Sequence, residues 1–237
     1  MEAWILITIA AAFLQNLRSA LQKHLRSSLG TTPFLNADDA SFLADITTTR
    51  EPLPPIPYAL VSLSTHTADF DKADFVTAMA GMLDEVARNT AVLFSAHFTP
   101  LDGPPRGDEV MHERVRSAMT QPSGVVRVRD SATSAALARG AELVISSRYH
   151  PVVFAVSGGV PSIGILVDDY TTTKLHGALG NFGQTSLLPI ERLLAGDGPD
   201  LVFDVWQARA VIRERGLAEA AVQRAASAAW WDRVAAV

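Results

Sequence analysis

The chain contains no cysteine, which removes disulfide frameworks, thiolate metal sites and cysteine nucleophiles from consideration. It also lacks a basic excess. The 20 Lys and Arg residues stand against 25 Asp and Glu, a formal net charge of −5 that supplies no field for nucleic acid. Its basic residues are scattered rather than clustered. The histidines at 24, 66, 97, 112, 150 and 176 form no HExxH motif and no paired helical spacing, so neither a metal centre nor a cofactor is expected. There is no internal repeat, and low complexity is limited to an alanine bias. What is present is 237 residues, 48% of them hydrophobic, enough to bury one domain core with a small appendage.

The amino terminus is unlike the rest. Ala3 to Leu14 is an apolar run interrupted only by Thr8, followed by an amphipathic stretch carrying Arg18, Lys23, His24 and Arg26. A spanning helix needs roughly 18 or more apolar residues, so the run is short unless the stretch to Leu25 joins it. The early Glu2 does not fit the basic start of a secretory signal. Residues 1–30 therefore read as a hydrophobic to amphipathic helix, with 1–25 a candidate for membrane or self-association. Residues 31–57 read as a linker, since Pro52, Pro54, Pro55 and Pro57 exclude regular structure from its second half.

From residue 58 the pattern alternates between strands and helices, the signature of a parallel sheet covered on both faces. Strands are expected at Tyr58–Ser64, Ala91–Ser95, Val125–Arg129, Leu143–Ser147 and Ser162–Val167. Helices are expected at Lys72–Arg88, Asp108–Met119, Ser134–Arg139 and Pro151–Ser157. The α/β domain is expected over 58–190. A helical segment follows over 191–237, with one or two Ala-rich helices from Asp204 to Ala236 and a Trp230-Trp231 pair that reads as packing.

The most informative stretch is Leu143-Val144-Ile145-Ser146-Ser147-Arg148-Tyr149-His150-Pro151, a buried strand running into an Arg-x-His pair and a helix start. Ligands bind at the carboxyl ends of strands in open α/β sheets, and the free N–H groups of the next helix favour negative charge there. Arg148 adds a planar fork suited to carboxylate or phosphate, and His150 a group that exchanges protons near neutral pH. The same rim receives His97 after the second strand, and Asp168-Asp169 with Lys174 after the fifth. A carboxylate at Asp168 or Asp169 suits orienting a hydroxyl or removing its proton, and Lys174 suits balancing phosphate charge. The alternatives at each position are structural: a strand-end salt bridge for Arg148, a packed or capping His150, a solvated loop His97, a turn pair at 168–169. Asp108 and Glu109 read as helix-opening carboxylates.

Ser147-Arg148-Tyr149-His150, Phe154-Ala155, Gly159-Val160-Pro161 and Asp168-Asp169, preceded by Asn36-Ala37-Asp38-Asp39-Ala40-Ser41-Phe42-Leu43, resemble the C-terminal half of the polysaccharide pyruvyl transferase family over about residues 36–190. That resemblance implies one half of a glycosyltransferase-B-like architecture, built as a Rossmann-like parallel sheet. It implies a transferase moving the enolpyruvyl unit of phosphoenolpyruvate onto sugar hydroxyls of a cell-surface polysaccharide, in the cytoplasm. Phosphoenolpyruvate and a glycan acceptor are the expected partners, with no nucleic acid. The resemblance carries two roles onto this chain, Arg148 as a binding residue and His150 as a catalytic one at the phosphoenolpyruvate site; from their place on the rim alone, His97, Asp168 and Lys174 would bind substrate and Asp169 would act in catalysis. Family members carry a whole domain before the Asp-x-Ala stretch, where about thirty-five residues stand here. Residues 1–30 resemble instead the first helix of the drug/metabolite transporter family, in Ala11-Ala12-Phe13-Leu14-Gln15-Asn16-Leu17-Arg18. The junction near Thr31–Pro33 fits a fused or rearranged gene product, or a membrane-anchored variant. Two other functions stay open: a nucleotide-sugar transferase of the same architecture, and a non-catalytic fragment or binding module.

Overall fold

The computed structural model describes residues 38–49, 51–100 and 103–235. The hydrophobic N-terminal helix expected at 1–30 lies outside them. A 3-10 turn at Asp39–Phe42 runs into α1 (Leu43–Ile46), so part of the stretch expected as linker is helical and packs on the domain. The remainder, at 47–49 and 51–57, has neither helix nor strand. Six strands follow: β1 (Tyr58–Ser62), β2 (Ala91–Phe94), β3 (Ser123–Val125), β4 (Leu143–Ser146), β5 (Ser162–Leu166) and β6 (Leu187–Pro189). Between and after them run α2 (Lys72–Ala87), α3 (Asp108–Ala118), α4 (Ser131–Gly140), α5 (Tyr149–Val156), α6 (Asp169–Gly180), α7 (Ile190–Leu194) and α8 (Gly198–Ala235). All pairs are parallel, in the order β3-β2-β1-β4-β5-β6. This is the Rossmann-like sheet read from the sequence.

Alternation along each strand splits the core in two. Ala59, Val61, Val92, Phe94, Ile145, Ile163 and Ile165 face one side, where α2, α3, α7 and α8 supply Phe75, Met79, Leu83, Met111, Leu193, Val202 and Val205. Tyr58, Leu60 and Val144 face the other, under α4, α5 and α6. Because the central strands are buried on both faces, they read as continuous apolar runs.

Several elements differ from expectation, among them α4, which starts at Ser131 rather than Ser134 because Asp130 caps it by accepting the Thr133 N–H. β3 lies at 123–125 rather than 125–129, because its partner β2 ends at Phe94. Val126 still donates its N–H to the Phe94 carbonyl at 2.8 Å, and the chain then leaves the ladder. β6 was not anticipated, being three residues ended by proline. α5 begins at Tyr149, two residues early, so Pro151 occupies its third position. No backbone partner is lost there, since the first N–H groups of a helix have none.

The carboxyl-terminal segment forms one 38-residue helix against this domain's own α2, with Val202 and Val205 in the core. Farther along, it crosses the turn after α5 at the Gly159–Gly216 contact. Gly159 has φ +71°, and a Cβ there would lie 2.7 Å from the Arg213 carbonyl oxygen. Gly159→Ala therefore combines a left-handed backbone with a collision against helix main chain, and is expected to cost on the order of 2 kcal/mol or more. Urea denaturation measures it; an unchanged midpoint would show that α8 is not seated through this crossing. Toward the helix end, Ser227 and the Trp231 indole reach Asp39, and Arg224 with Arg139 pairs Asp45, tying the 39–46 segment to α8 and α4. The Trp230–Trp231 pair packs edge to face, 4.9 Å between ring centroids.

Candidate functional site

The strand order reverses between β1 and β4, and in open α/β sheets the ligand crevice lies at such a switch, beyond the carboxyl ends. Serine hydroxyls tie these two ends together. Ser146 Oγ donates to the Ser62 carbonyl at 2.7 Å and accepts the Arg148 N–H at 2.9 Å, while the Ser64 N–H donates to Ser147 Oγ at 2.8 Å. Arg148 thereby becomes the N-cap residue of α5, and His150 sits in that helix's first turn.

The Arg148 guanidinium is held by Asp108, a carboxylate that by sequence alone reads as a helix cap. Asp108 is fully buried. It accepts Arg148 Nη2–H at 2.5 Å and Nε–H at 3.1 Å, along with the backbone N–H groups of His97 and Phe98 at 3.1 and 2.9 Å. The capping position is taken by Gly107, whose φ of +56° and 2.1 Å Cβ approach to the Phe98 carbonyl oxygen leave room for no side chain. Arg148 thus has the strand-end salt bridge of the structural reading, yet its side chain stays 31% exposed and Nη1 makes no hydrogen bond among the described residues. The ion pair spends most of the Arg148 charge but fixes its plane. A ligand meets oriented donors beside the N-terminus of α5.

Behind this pair lie two imidazoles, His112 buried and His97 partly buried. His97 is clamped, with Nδ1 3.0 Å from Ser62 Oγ and Nε2 2.8 Å from Ser134 Oγ, so it is no solvated loop histidine. Burial pushes its pKa down to about 4, with the charges of His150 and Arg148 acting in the same direction. His112 Nε2 accepts the Leu63 N–H at 2.8 Å, which puts its proton on Nδ1; burial holds its pKa near 4 as well. His97 therefore offers no free ring nitrogen and buttresses the Arg148 neighbourhood.

The exposed rim carries the remaining candidates. His150 makes no hydrogen bond among the described residues, and its ring leans on Tyr149 and Phe154. Asp168 caps α6: its Oδ1 accepts the Thr171 N–H at 2.7 Å, and that bond holds its carboxyl below the usual range. Its Oδ2 is 2.9 Å from His66 Nε2. Asp169 opens α6, exposed, with no side-chain partner among the described residues. Lys174 sits over the rings of Tyr149 and Tyr170, at 5.1 and 4.5 Å from their centroids. The Tyr149 hydroxyl is pushed up to about 12 by burial and the Asp38 carboxylate.

The sequence does not single out His112 or His66, and it marks Asp108 only as a helix-opening carboxylate. Asp108 and His112 are four apart, hence on one face of α3, the one faint sign that both turn inward. A cavity of about 250 Å³ opens one strand away, over β2 and β3, lined by Glu109, His112, Arg116, Arg127 and Arg129 among others. Among the described residues no cluster of His, Asp and Glu could hold a metal ion, and no helix is long and apolar enough to cross a membrane.

Residues 125–169 match the polysaccharide pyruvyl transferase family. The match runs from the end of β3 to the first residue of α6 and includes Arg148, His150, Asp168 and Asp169; it is narrower than the 36–190 expected. The transporter resemblance of residues 1–30 is not borne out. No curated protein matches the sequence. Among solved structures, a Listeria monocytogenes protein assigned as a UDP-N-acetylglucosamine 2-epimerase aligns with TM-score 0.50 and 14% identity, over 81% of this chain and 49% of its own. The glycosyltransferase VinC, in complex with DTDP, aligns with TM-score 0.43 and 16% identity, over 70% and 38%. This chain thus spans about half the length of these structures or less. It has the fold of one half of a glycosyltransferase-B-like protein, with a pyruvyl transferase-like segment at the crevice.

Proposed function

We propose that residues 58–235 form the donor-binding half of a pyruvyl transferase that takes phosphoenolpyruvate and a glycan hydroxyl. The observation that carries this reading is the placement of Arg148 and His150, within the family-matching segment, at the start of α5 beside the switch point. Arg148 directs Nη1 donors at the substrate carboxylate or phosphate, with its plane fixed by Asp108. His150, exposed and unpaired, protonates the methylene carbon C3 as a sugar oxygen attacks C2, because positive charge at C2 develops only as C3 gains a proton. Lys174 balances phosphate charge, and Asp169, with a free carboxylate, orients the acceptor. His97 and Asp168 contribute from behind, one packed beneath Arg148 and the other capping α6. Domain limits at 58 and 190 would place α7 and α8 in a separate segment; their burial against α2 favours one unit extending to 235.

A second reading, a nucleotide-sugar transferase, draws on the arginine-lined cavity over β2 and β3. Calorimetric titration of the full chain separates the two. Phosphoenolpyruvate is expected to bind and UDP-N-acetylglucosamine not to. Arg148→Lys, which keeps a cation beside Asp108 but loses the fork, should weaken binding roughly 10- to 100-fold. Binding of the nucleotide sugar alone would reverse the assignment. Binding of neither by the folded chain would favour the non-catalytic fragment.

A further inference from the structure

His66 and Asp168 come from opposite sides of the switch point. His66 follows β1 and Asp168 follows β5, and β4 lies between those two strands. Parallel neighbours are about 4.8 Å apart, so the pair reaches roughly 10 Å across the carboxyl end of β4, over the turn that carries Arg148 and His150. The His66 N–H donates to Ser64 Oγ at 3.1 Å, and the Ser64 N–H to Ser147 Oγ, which fixes this turn to the end of β4. A carboxylate only accepts, so the 2.9 Å contact to Asp168 Oδ2 places the His66 proton on Nε2 and leaves the Nδ1 lone pair free. The His66 side chain is 57% exposed.

Of the other groups at this edge, His150 serves as the acid and Asp169 as the orienting carboxylate, and the rest are engaged. Asp168 gives one oxygen to Thr171 and the other to His66, and His97 and His112 are clamped on buried partners. We propose that His66, oriented by Asp168, is the base that removes the proton from the attacking glycan hydroxyl. This rests on the pyruvyl-donor reading. As the hydroxyl oxygen bonds to C2, its proton passes to His66 Nδ1 and the C2–C3 π pair takes a proton from His150. The C2–O bond to phosphate then breaks, and a second hydroxyl closes the ketal, its proton leaving with the phosphate as hydrogen phosphate. The sugar oxygen thus approaches from the β1 side of the crevice, opposite the α5 start that holds the donor.

The test is nitrogen NMR of the imidazoles of the full chain, titrated with phosphoenolpyruvate alone. His66 is expected to be the Nε2–H tautomer, and its unprotonated Nδ1 resonance to shift at saturation while that of exposed His176 does not. Asp168→Asn preserves a helix cap but removes the charge, and should raise the fraction of the Nδ1–H tautomer several-fold. A His66 carrying its proton on Nδ1, or one silent while phosphoenolpyruvate binds, overturns this assignment and leaves the donor reading standing. Failure of phosphoenolpyruvate to bind overturns the donor reading and this one with it.

Discussion

Arg148→Ala is expected to abolish phosphoenolpyruvate binding and also to destabilise the domain by about 3 kcal/mol or more, since it strands the buried Asp108 carboxylate without its counter-charge. Loss of binding in that variant alone would therefore not distinguish a ligand clamp from a collapsed site. The double variant Arg148→Ala/Asp108→Asn separates the two. Asparagine keeps an acceptor for the His97 and Phe98 N–H groups but carries no charge, so urea denaturation should show most of the lost stability restored. Binding should remain absent, because the Nη1 donors are gone. A double variant that regains affinity would show that Arg148 acts only through Asp108. A single variant as stable as the parent would show that Asp108 does not depend on the pair.

Particular residues show how far the sequence reached. The strands at 58, 91, 143 and 162 were legible because burial on both sheet faces leaves short apolar runs between turn and helix signals. Arg148 and His150 were legible because a strand running into a helix start fixes the edge they occupy, whatever the exact first residue. The Asp108–Arg148 pair was not, since forty positions separate its members and a carboxylate in a first helical turn reads equally well as a cap. The folding of the loop before α3 turns that carboxylate inward, and it depends on Gly107, Phe98 and the end of β2 together. His66 was hidden for a similar reason. Its partner lies two strands away in the sheet and 102 residues away in the chain, a proximity created by strand order alone.

Stability should fall steeply as pH drops from about 6.5 toward 4. His97 and His112 are neutral in the folded protein, with pKa values near 4, and titrate in the unfolded chain near the ordinary value of 6.5. Below 6.5 the unfolded state binds more protons, so both groups contribute stability that is full above that pH and is lost on acidification. The loss amounts to roughly 2 kcal/mol from each at pH 5. Asp168, held low by the Thr171 N–H, adds to the decline only further down, from the usual carboxylate range toward its lowered folded value. Urea denaturation from pH 7.5 to 4.5 measures the slope. His112→Gln can keep an acceptor for the Leu63 N–H while removing the titration, and should roughly halve the pH dependence even if the variant is less stable at neutral pH. Equal stability at pH 7 and pH 4.5 in the parent would mean that the two rings are not sealed from solvent. The floor beneath Arg148 would then be open to water.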